Sequence, residues 1–495
     1  MSRTPLFDPR PTIMTTLLVG LSLLTPAPLP AQEGQTADDP TFHRDITPIL
    51  QRSCQRCHHE EGVGPMSLVD YETARRYGRR IARRTGIRDR AGAMPPWYVE
   101  KDIGIQHYKD DPSLTDVEIE AIATWVANGM PEGDRADAPP ALVFNDDRAW
   151  QAGEPDLVVR LPDVFVGGDV PDWWGDIEPT PTGLPEDRYV KSVEIREVND
   201  IDHQSADGRR TVGGRYVIHH MIWSTRVLDG GQETGPGAER DRRDVSWPVH
   251  EVGRNPDIFD PDGGRLLRAG ASVVSNSLHL HSNGRDTNAH LEIGFRFHPP
   301  DYEPRYRPTF LGLGNAMDID IQANESDQEL HAYTVLQQHT KIVTFEPHLH
   351  APGKRMCLEA IWGWNVETLS CVGYDHNWVR GYTFADDHQP LLPKGTVLHI
   401  VGYMDNSEEN RNVPDPRNWQ GSGNRSVANM FIDLGMRLTL TDEQFVDEMA
   451  QRRERLGLDV NDHVIGCPLC MVIPEEAVVD EETDGVEGGS TGPGR

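Results

Sequence analysis

Short runs rich in apolar, β-branched and aromatic residues characterise the second half of the chain. The clearest runs span 216–223, 290–297, 341–345 and 397–403, and Gly, Pro and Asp residues separate them. Short runs of this composition between turn residues predict β-strands. Because helical periodicity is weak throughout 157–441, we expect antiparallel sandwiches or barrels there, and the length of the region allows two of them.

Residues 40–135, which precede the β-rich region, have helical periodicity instead. Asp45 can cap one helix, and Thr115 with Glu118 has the spacing of a capping box that begins another. Apolar residues follow each cap at helical spacing, and Gly129 can close the second helix. These apolar residues are Ile46, Ile49, Leu50, Ile119, Ile122, Trp125 and Val126. We therefore expect a small all-α domain over residues 40–135.

A Cys-x-x-Cys-His run, formed by Cys54, Cys57 and His58, follows the first predicted helix. Covalent haem attachment needs two thiols for thioether bonds to the vinyl groups and a histidine that ligates the iron. A thioredoxin-like redox pair or half of a zinc site would share the Cys-x-x-Cys, but no second such motif lies nearby and no strand-turn-helix pattern surrounds it. The run therefore predicts one covalent haem c. Residues 42–134 resemble the mono-haem cytochrome c modules fused to bacterial redox enzymes.

The sixth iron ligand should be a thioether or an imidazole downstream of His58. We expect Met94, which lies in the proline-held run Ala-Met-Pro-Pro-Trp. Met66, in the run Gly-Pro-Met-Ser-Leu, is the competing candidate. For either methionine, ordinary core packing is the alternative role.

The N-terminus predicts export. Arg3 and Arg10 precede an apolar stretch, 13–24, and a Pro/Ala-rich segment follows, so residues 1–32 are expected to be a secretory signal peptide. No later segment is long and apolar enough to span a bilayer, so we expect no stable membrane insertion and a periplasmic or secreted location. The net charge of -31 argues against nucleic acid as a partner.

The other four cysteines form two pairs at short spacing. Cys357 and Cys371 flank a hairpin-like stretch and are expected to form a cross-strand disulfide, which suits an oxidising compartment. Cys467 and Cys470 indicate either a local disulfide or a redox or copper-loading motif. The acidic segment 474–495 is expected to be disordered.

Three histidine clusters lie on or beside the predicted strands. They are His219-His220, His279-Leu-His281 and His348-Leu-His350. Residues two apart on a strand share a face, so the second and third clusters can each present both imidazoles to one metal. Adjacent residues do not share a face, so the first cluster needs a bend in its strand or coordination through different ring nitrogens. Imidazoles alone fit zinc, copper or iron, whereas an added thioether selects copper, above all Cu(I). The candidate thioethers are Met221, Met356, Met404, Met430 and Met436.

From residue 150 to residue 436 the chain resembles the type II copper monooxygenases, the ascorbate-dependent family that includes peptidylglycine alpha-hydroxylating monooxygenase and dopamine beta-monooxygenase. Several motifs carry the resemblance. They are Val217-Ile-His-His-Met-Ile-Trp223, Leu278-His-Leu-His-Ser-Asn-Gly284, Pro347-His-Leu-His-Ala-Pro-Gly-Lys354, Tyr403-Met-Asp-Asn-Ser407, Asn410-Arg-Asn-Val-Pro-Asp-Pro416 and Asn424-Arg-Ser-Val-Ala-Asn-Met430. The chain departs from the pattern just before the methionine, where Ala428 and Asn429 stand in place of acidic residues.

The resemblance implies two copper sites. The ligands of the first would be His219, His220 and His279, with His281 as the fallback for the third. The ligands of the second would be His348, His350 and Met430. In this family the copper bound by two histidines and a methionine activates O2, and the three-histidine copper supplies the second electron. The implied activity is insertion of one oxygen atom of O2 into a substrate C–H bond.

The resemblance also implies the domain organisation. Two tandem all-β, jelly-roll-like sandwich domains would span 154–300 and 301–445 and face each other across a solvent cleft. A linker at 136–153 would precede them, and a partly disordered tail at 446–495 would follow.

Animal members of the family draw electrons from ascorbate. We hypothesise that the fused cytochrome domain takes over this task, so that an external donor reduces the haem and the haem reduces the three-histidine copper. The substrate would be a small molecule or peptide-like. The alternative is a non-catalytic periplasmic haem and copper protein for electron transfer or copper binding. A plain carbohydrate-binding sandwich would leave all the histidine clusters unexplained.

Overall fold

Antiparallel sheets make up most of the structure. The computed structural model describes residues 39–60, 62–144, 150–201, 215–228, 244–309, 313–314, 318–423, 428–459 and 462–470. The expected signal peptide and the acidic segment 474–495 therefore lie outside the described residues. Residues from Pro40 onwards form one unit. In the described parts of the chain, no helix is long and apolar enough to cross a membrane.

The described residues contain four α-helices, three of them in the N-terminal part. They are α1 Thr47–Ser53, α2 Tyr71–Thr85, α3 Asp116–Ala127 and α4 Asp442–Leu456. The Thr115–Glu118 capping box at the start of α3 is confirmed. The first helical segment begins earlier than expected, with a π-helical turn at Phe42–Ile46. The prediction that Asp45 caps the helix is wrong, because Ile46 holds the N-cap position of α1 and Asp45 lies inside the π-helical turn, where its carboxylate accepts the N–H of Thr41 at 2.7 Å.

Helices α1 to α3 surround a small apolar core of their own. Phe42, Ile46, Leu50 and Trp125 are almost completely buried in it, and the rings of Phe42 and Trp125 lie 6.1 Å apart. Ile119 and Val126 pack at its edge. The helical periodicity of the sequence thus identified the buried faces of α1 and α3.

Twenty-five strands follow one another along the described residues. The first twelve are β1 Val99–Gly104, β2 Leu157–Arg160, β3 Val164–Val166, β4 Trp173–Pro181, β5 Arg188–Asn199, β6 Ile218–Val227, β7 Val245–Ser246, β8 His250–Glu251, β9 Asp257–Ile258, β10 Arg265–Leu267, β11 Ala271–Leu280 and β12 Thr287–Phe297. The others are β13 Arg307–Thr309, β14 Leu313–Gly314, β15 Gln328–Val335, β16 His339–Ile342, β17 Thr344–Phe345, β18 Pro347–Leu349, β19 Gly353–Trp362, β20 Asn365–Gly373, β21 Tyr382–Thr383, β22 Leu391–Leu392, β23 Val397–Met404, β24 Phe431–Asp433 and β25 Arg437–Leu440.

The first half of the β region contains two sheets. One has the order β10-β5-β12-β2, and the other has the order β4-β11-β6-β7. Their inward-facing residues, among them Val193, Trp223, Val273 and Phe295, share one core. The β-rich runs at 216–223 and 290–297 correspond to β6 and β12, so those two strand predictions are confirmed.

The second half is built from several smaller sheets around a second core. Its largest sheet has the order β1-β20-β19-β23-β15, and β13-β25-β16-β22 and β14-β24-β18 flank it. Cys357 and Cys371 lie opposite each other on β19 and β20 and form the expected disulfide.

The edge strand β1 comes from the range that we expected to be an all-α domain, so that range is not helical throughout. Val99–Gly104 pairs with β20, and the neighbouring Trp97, Ile105 and Tyr108 enter the second core. Tyr108 also hydrogen-bonds Ser370 at 2.8 Å between the hydroxyl oxygens. Burial of three aromatic or aliphatic side chains explains why this segment leaves the helices for the sheet.

The described part of the expected tail is ordered as well. Helix α4 extends to Leu456, and its Phe445 and Met449 pack into the core of the first half. Cys467 and Cys470 form a disulfide that lies against the same core. Of the two interpretations of this cysteine pair, the structure therefore has the local disulfide.

The junction between β1 and β20 leaves no room for a side chain at Gly104. A Cβ atom there would lie 2.4 Å from the carbonyl oxygen of Leu369, and Gly104 has a φ of +66°. Gly363 has a similar φ, +53°, but open space around it. We expect Gly104→Ala to lower the free energy of unfolding by about 1–3 kcal/mol more than the control Gly363→Ala. Urea unfolding of both variants measures this difference, and equal midpoints would contradict it.

Candidate metal centres

The three-histidine cluster forms where β6 pairs with β11. His220 lies opposite His279, whereas the next pair in the ladder joins Leu280 to Ile218, so His219 is an extra residue on β6. Such a β-bulge re-aims a side chain that would otherwise point to the opposite face. This bulge provides the bend that was expected in the strand if the adjacent residues His219 and His220 were to reach one metal ion.

The three side chains lie at distances that suit one metal ion. A ring nitrogen from each of His219, His220 and His279 lies within 4.8 Å of the other two. The Nδ1 atoms of His219 and His220 are 3.5 Å apart. The Nδ1 atom of His279 is buried and has no hydrogen-bond partner among the described residues. Imidazoles bind such ions at about 2.0–2.1 Å, which puts the ligand nitrogens about 3–3.5 Å apart, so this donor set fits a bound cation.

The contacts of His281 distinguish it from His279. His281 Nε2 lies 2.9 Å from the carbonyl oxygen of Tyr216, so a backbone group already satisfies that nitrogen. His279 is instead held by Trp174, whose ring stacks on it at 4.6 Å, and by Asp172, whose carboxylate lies 3.1 Å from Nε2. These contacts favour His279 as the third member of the cluster.

A second cluster forms where β18 pairs with β24. His348 lies opposite Ile432 and Leu349 lies opposite Phe431, which is the last pair of this ladder. His350 is the residue that follows β18, and Met430 is the residue that precedes β24. The rings of His348 and His350 are 5.4 Å apart. The two histidines and Met430 therefore lie at or beside the same end of the β18–β24 ladder.

The candidate methionines differ in their surroundings. Met430 is half-buried at the end of β24. The other four are buried in the two main hydrophobic cores: Met221, Met356, Met404 and Met436. A thioether in an apolar core has a packing role, so Met430 is the one whose surroundings suit a ligand.

Both histidines of the second cluster are oriented by contacts at Nδ1. His350 Nδ1 lies 2.9 Å from the carbonyl oxygen of Ala428, and His348 Nδ1 lies 2.8 Å from the carboxylate of Glu251. In metalloproteins, contacts of this kind orient the ring of a metal-binding histidine. Ala428 makes this contact through its backbone, so the contact does not depend on the Ala428 side chain.

The two clusters are neighbours, and two residues missed by the sequence analysis connect them. Glu251 lies opposite His220 on the adjacent strand β8 and contacts His348 from there. His376 lies between the clusters, with ring centroids 5.6 Å from His219 and 6.1 Å from His350. Neither Glu251 nor His376 belongs to a closely spaced pair of histidines in the sequence. The spacing that identified the three clusters therefore could not identify these two residues.

Burial and mutual proximity affect the protonation of these histidines. Burial, and then the nearby His376, hold the pKa of His219 well below its usual value. Burial and the neighbouring His219 similarly lower the pKa of His220. For His348, burial acts in the opposite direction, but the carboxylate of Glu251 raises the pKa. The first cluster is therefore neutral at pH 7, which is the form of imidazole that binds metal.

The Cys-x-x-Cys-His run lies at the end of α1. Cys54 is a buried thiol whose pKa is raised to about 12 by burial, and Cys57 carries a partly exposed thiol. His58 Nδ1 lies 3.1 Å from the carbonyl oxygen of Met66, which leaves Nε2 for a ligand bond. A Cβ atom on Gly64 would lie 2.3 Å from that Nδ1, so the loop holds the ring closely. Two thiols beside an oriented imidazole fit covalent haem.

The two candidate sixth ligands occupy different environments. Met66 packs on the helical core and its carbonyl faces the Nδ1 end of His58, away from the nitrogen that would bind iron. A sixth ligand must approach from the opposite side of the haem, so this position disfavours Met66. Met94 is 40% exposed in its loop, and its N–H donates to the carbonyl of Arg84 at 3.2 Å. Its role as the iron ligand stays a prediction.

Comparisons with known proteins give no family for this chain. No protein-family model matches it, and no curated protein matches it. The structure of the VP2 subviral particle of infectious bursal disease virus is similar over 62% of this chain and 76% of its own, with 10% identity and a TM-score of 0.18. A human norovirus GI.7 Houston structure is similar over 60% of this chain and 80% of its own, with 9% identity and a TM-score of 0.14. Such scores establish neither fold nor function.

The carboxylate of Glu251 should matter for metal binding at the second cluster. We expect Glu251→Gln to weaken copper binding there about 10–100-fold, because His348 loses its charged orienting partner. Glu359→Gln is a matched control, since Glu359 contacts His399 Nδ1 at the same distance of 2.8 Å outside both clusters. Chelator competition measures both affinities. A similar change in the two variants would refute the role of Glu251.

Proposed function

We propose that this protein is a haem-linked dicopper monooxygenase that inserts one oxygen atom of O2 into a C–H bond of a small-molecule or peptide-like substrate. The observation that carries the proposal is the meeting of two donor sets. A three-imidazole cluster, with ligand nitrogens within 4.8 Å of one another, lies next to the imidazole pair His348 and His350, and Met430 adjoins the end of the ladder beside this pair. Activation of O2 by copper needs a supply of electrons and a site that favours Cu(I). A thioether ligand favours Cu(I).

Each donor set would have a separate task. His219, His220 and His279 would hold one copper, His348, His350 and Met430 would hold the other, and Cys54, Cys57 and His58 would hold haem c. When bound, the haem and the first copper would supply electrons one at a time and the second copper would supply O2 activation. Glu251 and the Ala428 carbonyl would orient the imidazoles of the second set, and Trp174 would keep His279 in place.

A short chain of contacts connects the haem motif to the first cluster. Arg215 donates a hydrogen bond to the carbonyl oxygen of Gly62, five residues after Cys57. The next residue, Tyr216, contacts His281 through its own carbonyl at 2.9 Å, and the ring of His281 lies 5.4 Å from that of His219. These contacts connect the loop that follows Cys57 to the first cluster, which supports the proposed transfer of electrons between the haem and the first copper.

The disulfides support the location that we propose. The pairs Cys357–Cys371 and Cys467–Cys470 are oxidised in the structure. Disulfides form and persist in oxidising compartments, where c-type haem proteins with signal peptides also mature. We therefore propose a periplasmic or secreted protein whose haem receives electrons from an external donor.

The electron relay predicts that copper accelerates oxidation of the haem. When anaerobic reduced protein is mixed with Cu(II), the absorbance band of the reduced haem should decay at least about tenfold faster than in metal-free protein. Protein loaded with Zn(II) is the control, because zinc occupies nitrogen sites but has no redox chemistry. Stopped-flow absorbance measures the rates. Equal rates with copper and zinc would contradict the relay and favour a non-catalytic metal-binding protein.

The haem assignment predicts a difference between two Cys-x-x-Cys pairs. Cys54→Ser with Cys57→Ser should abolish covalent haem, because both thioether bonds are lost. Cys467→Ser with Cys470→Ser is the control, since this pair has the same spacing but is oxidised and is followed by methionine, not histidine. Haem staining after denaturing electrophoresis distinguishes them. Covalent haem in the first double variant would refute the assignment.

A further inference from the structure

Helix α2 is strongly basic, although the chain as a whole is acidic. Six of its 15 residues are arginine and one is glutamate, whereas the whole chain has 48 Lys and Arg against 79 Asp and Glu. Its buried residues are Ala74, Gly78, Ile81 and Thr85. With about 3.6 residues per turn, the opposite side of the helix is formed by positions 76, 79, 80 and 83. The exposed side chains at these positions are Arg76, Arg79, Arg80 and Arg83, which we call the basic face.

The basic face has no stabilising role within its own chain. Its four arginines are neighbours at spacings of three and four residues, and like charges at these spacings destabilise a helix. In the described parts of the chain none of them forms an ion pair, and Arg80 lies over the ring of Tyr77 at 5.6 Å. Arg84, which is not part of this face, does bind its own chain, since it donates to the carbonyl of Gly92 at 2.7 Å. Repelling charges that pair with no group of their own chain indicate an acidic partner.

Both ends of α2 are connected to the segments that carry the expected haem ligands. Just before the helix, the N–H of Leu68 donates to the carbonyl of His58 at 2.8 Å. At its end, the carbonyl of Arg84 accepts the N–H of Met94 at 3.2 Å. Between these ends, the buried side of α2 packs in the same apolar core as Cys54. A partner bound on the basic face would therefore be separated from this core by the thickness of one helix, about 10 Å.

We propose that the basic face of α2 is the docking surface for the external electron donor, and that this donor is an acidic protein that transfers single electrons. The proposal rests on the proposed function in taking the run from Cys54 to His58 as a haem site. One electron passes from the reduced donor to the ferric iron, so the donor is oxidised, the haem is reduced, and no bond forms or breaks. Opposite charges on the two surfaces steer the encounter and orient the donor.

The test measures reduction of the haem in the copper-free, haem-matured full chain. Its probe is reduced plant-type ferredoxin, an acidic iron–sulfur protein that transfers single electrons, and stopped-flow absorbance follows the reaction. The α2 variant combines Arg76→Gln, Arg79→Gln, Arg80→Gln and Arg83→Gln. We expect its bimolecular rate constant at about 0.1 M ionic strength to be about tenfold lower than that of the unsubstituted chain. At about 1 M the difference should disappear, because the Debye length falls from about 10 Å to about 3 Å.

Three comparisons separate docking from other effects. Reduction by the methyl viologen radical cation should not become slower in the α2 variant, because positive charge on α2 repels this reductant. The midpoint of urea unfolding should be at least as high as in the unsubstituted chain, because repulsion within the helix is relieved. The control variant removes the same number of exposed positive charges from the β part, and its rate with ferredoxin should change less than about twofold. It combines Arg160→Gln, Arg307→Gln, Lys394→Gln and Arg417→Gln.

Equal ferredoxin rates in the α2 variant and the unsubstituted chain, or equal losses in the α2 variant and the control, would overturn the proposal and leave the proposed function standing. Equal rates together with binding to phosphatidylglycerol vesicles that the α2 variant loses would assign the basic face to a lipid surface instead. Equal rates that become unequal when the acidic residues of 474–495 are replaced by their amides would assign it to that segment. Absence of covalent haem in the unsubstituted chain would overturn the haem part of the proposed function as well.

Discussion

One extra residue in the ladder between β6 and β11 determines whether the first cluster exists. In a regular strand, His219 and His220 would point to opposite faces, and one ring would be lost to the other side of the sheet. The bulge turns both towards His279, and pairing of β8 on the other side of β6 brings Glu251 to the same place. The second cluster depends on this arrangement too, because Glu251 is the partner of His348.

The two halves of the β region are connected more closely than tandem domains need to be. The core of the first half includes Leu438 and Leu440 from β25 and Phe445 from α4. Lys341 of the second half forms a buried ion pair with Asp260 of the first, at 3.1 Å. A buried pair of this kind tolerates little displacement, because separation would leave each charge without compensation in an apolar surrounding. The neighbouring positions of the two histidine clusters follow from this shared core.

Much of the local structure could be predicted from the sequence, because it depends on short-range patterns. β-rich runs between turn residues identified β12 and β23, and the spacing of Thr115 and Glu118 identified the start of α3. Motif spacing also selected His348 and His350, since two residues on one strand share a face whatever the rest of the fold does.

What could not be predicted arises from contacts between distant segments. His376 lies 157 positions after His219 in the numbering, and nothing in the run Tyr-Asp-His-Asn-Trp indicates that they meet. The bulge at His219 depends on the register of β11, which a single strand does not encode. Residues 97–108 have apolar side chains that suit either a helical core or a sheet edge, and the choice depends on whether β20 offers a free edge.

The pairing of β1 with β20 has a consequence for how such a chain can arise and be divided. A module that ended at residue 135 would carry away the edge strand of a sheet whose other four strands lie within residues 328–404, and would expose the backbone of β20 to any other strand. The helical part and the β part are therefore not independent domains that could be separated at residue 135. Replacement of the helical part by another domain would have to keep residues 97–108 with the β part. We therefore expect the helical part and the β part to be inherited together.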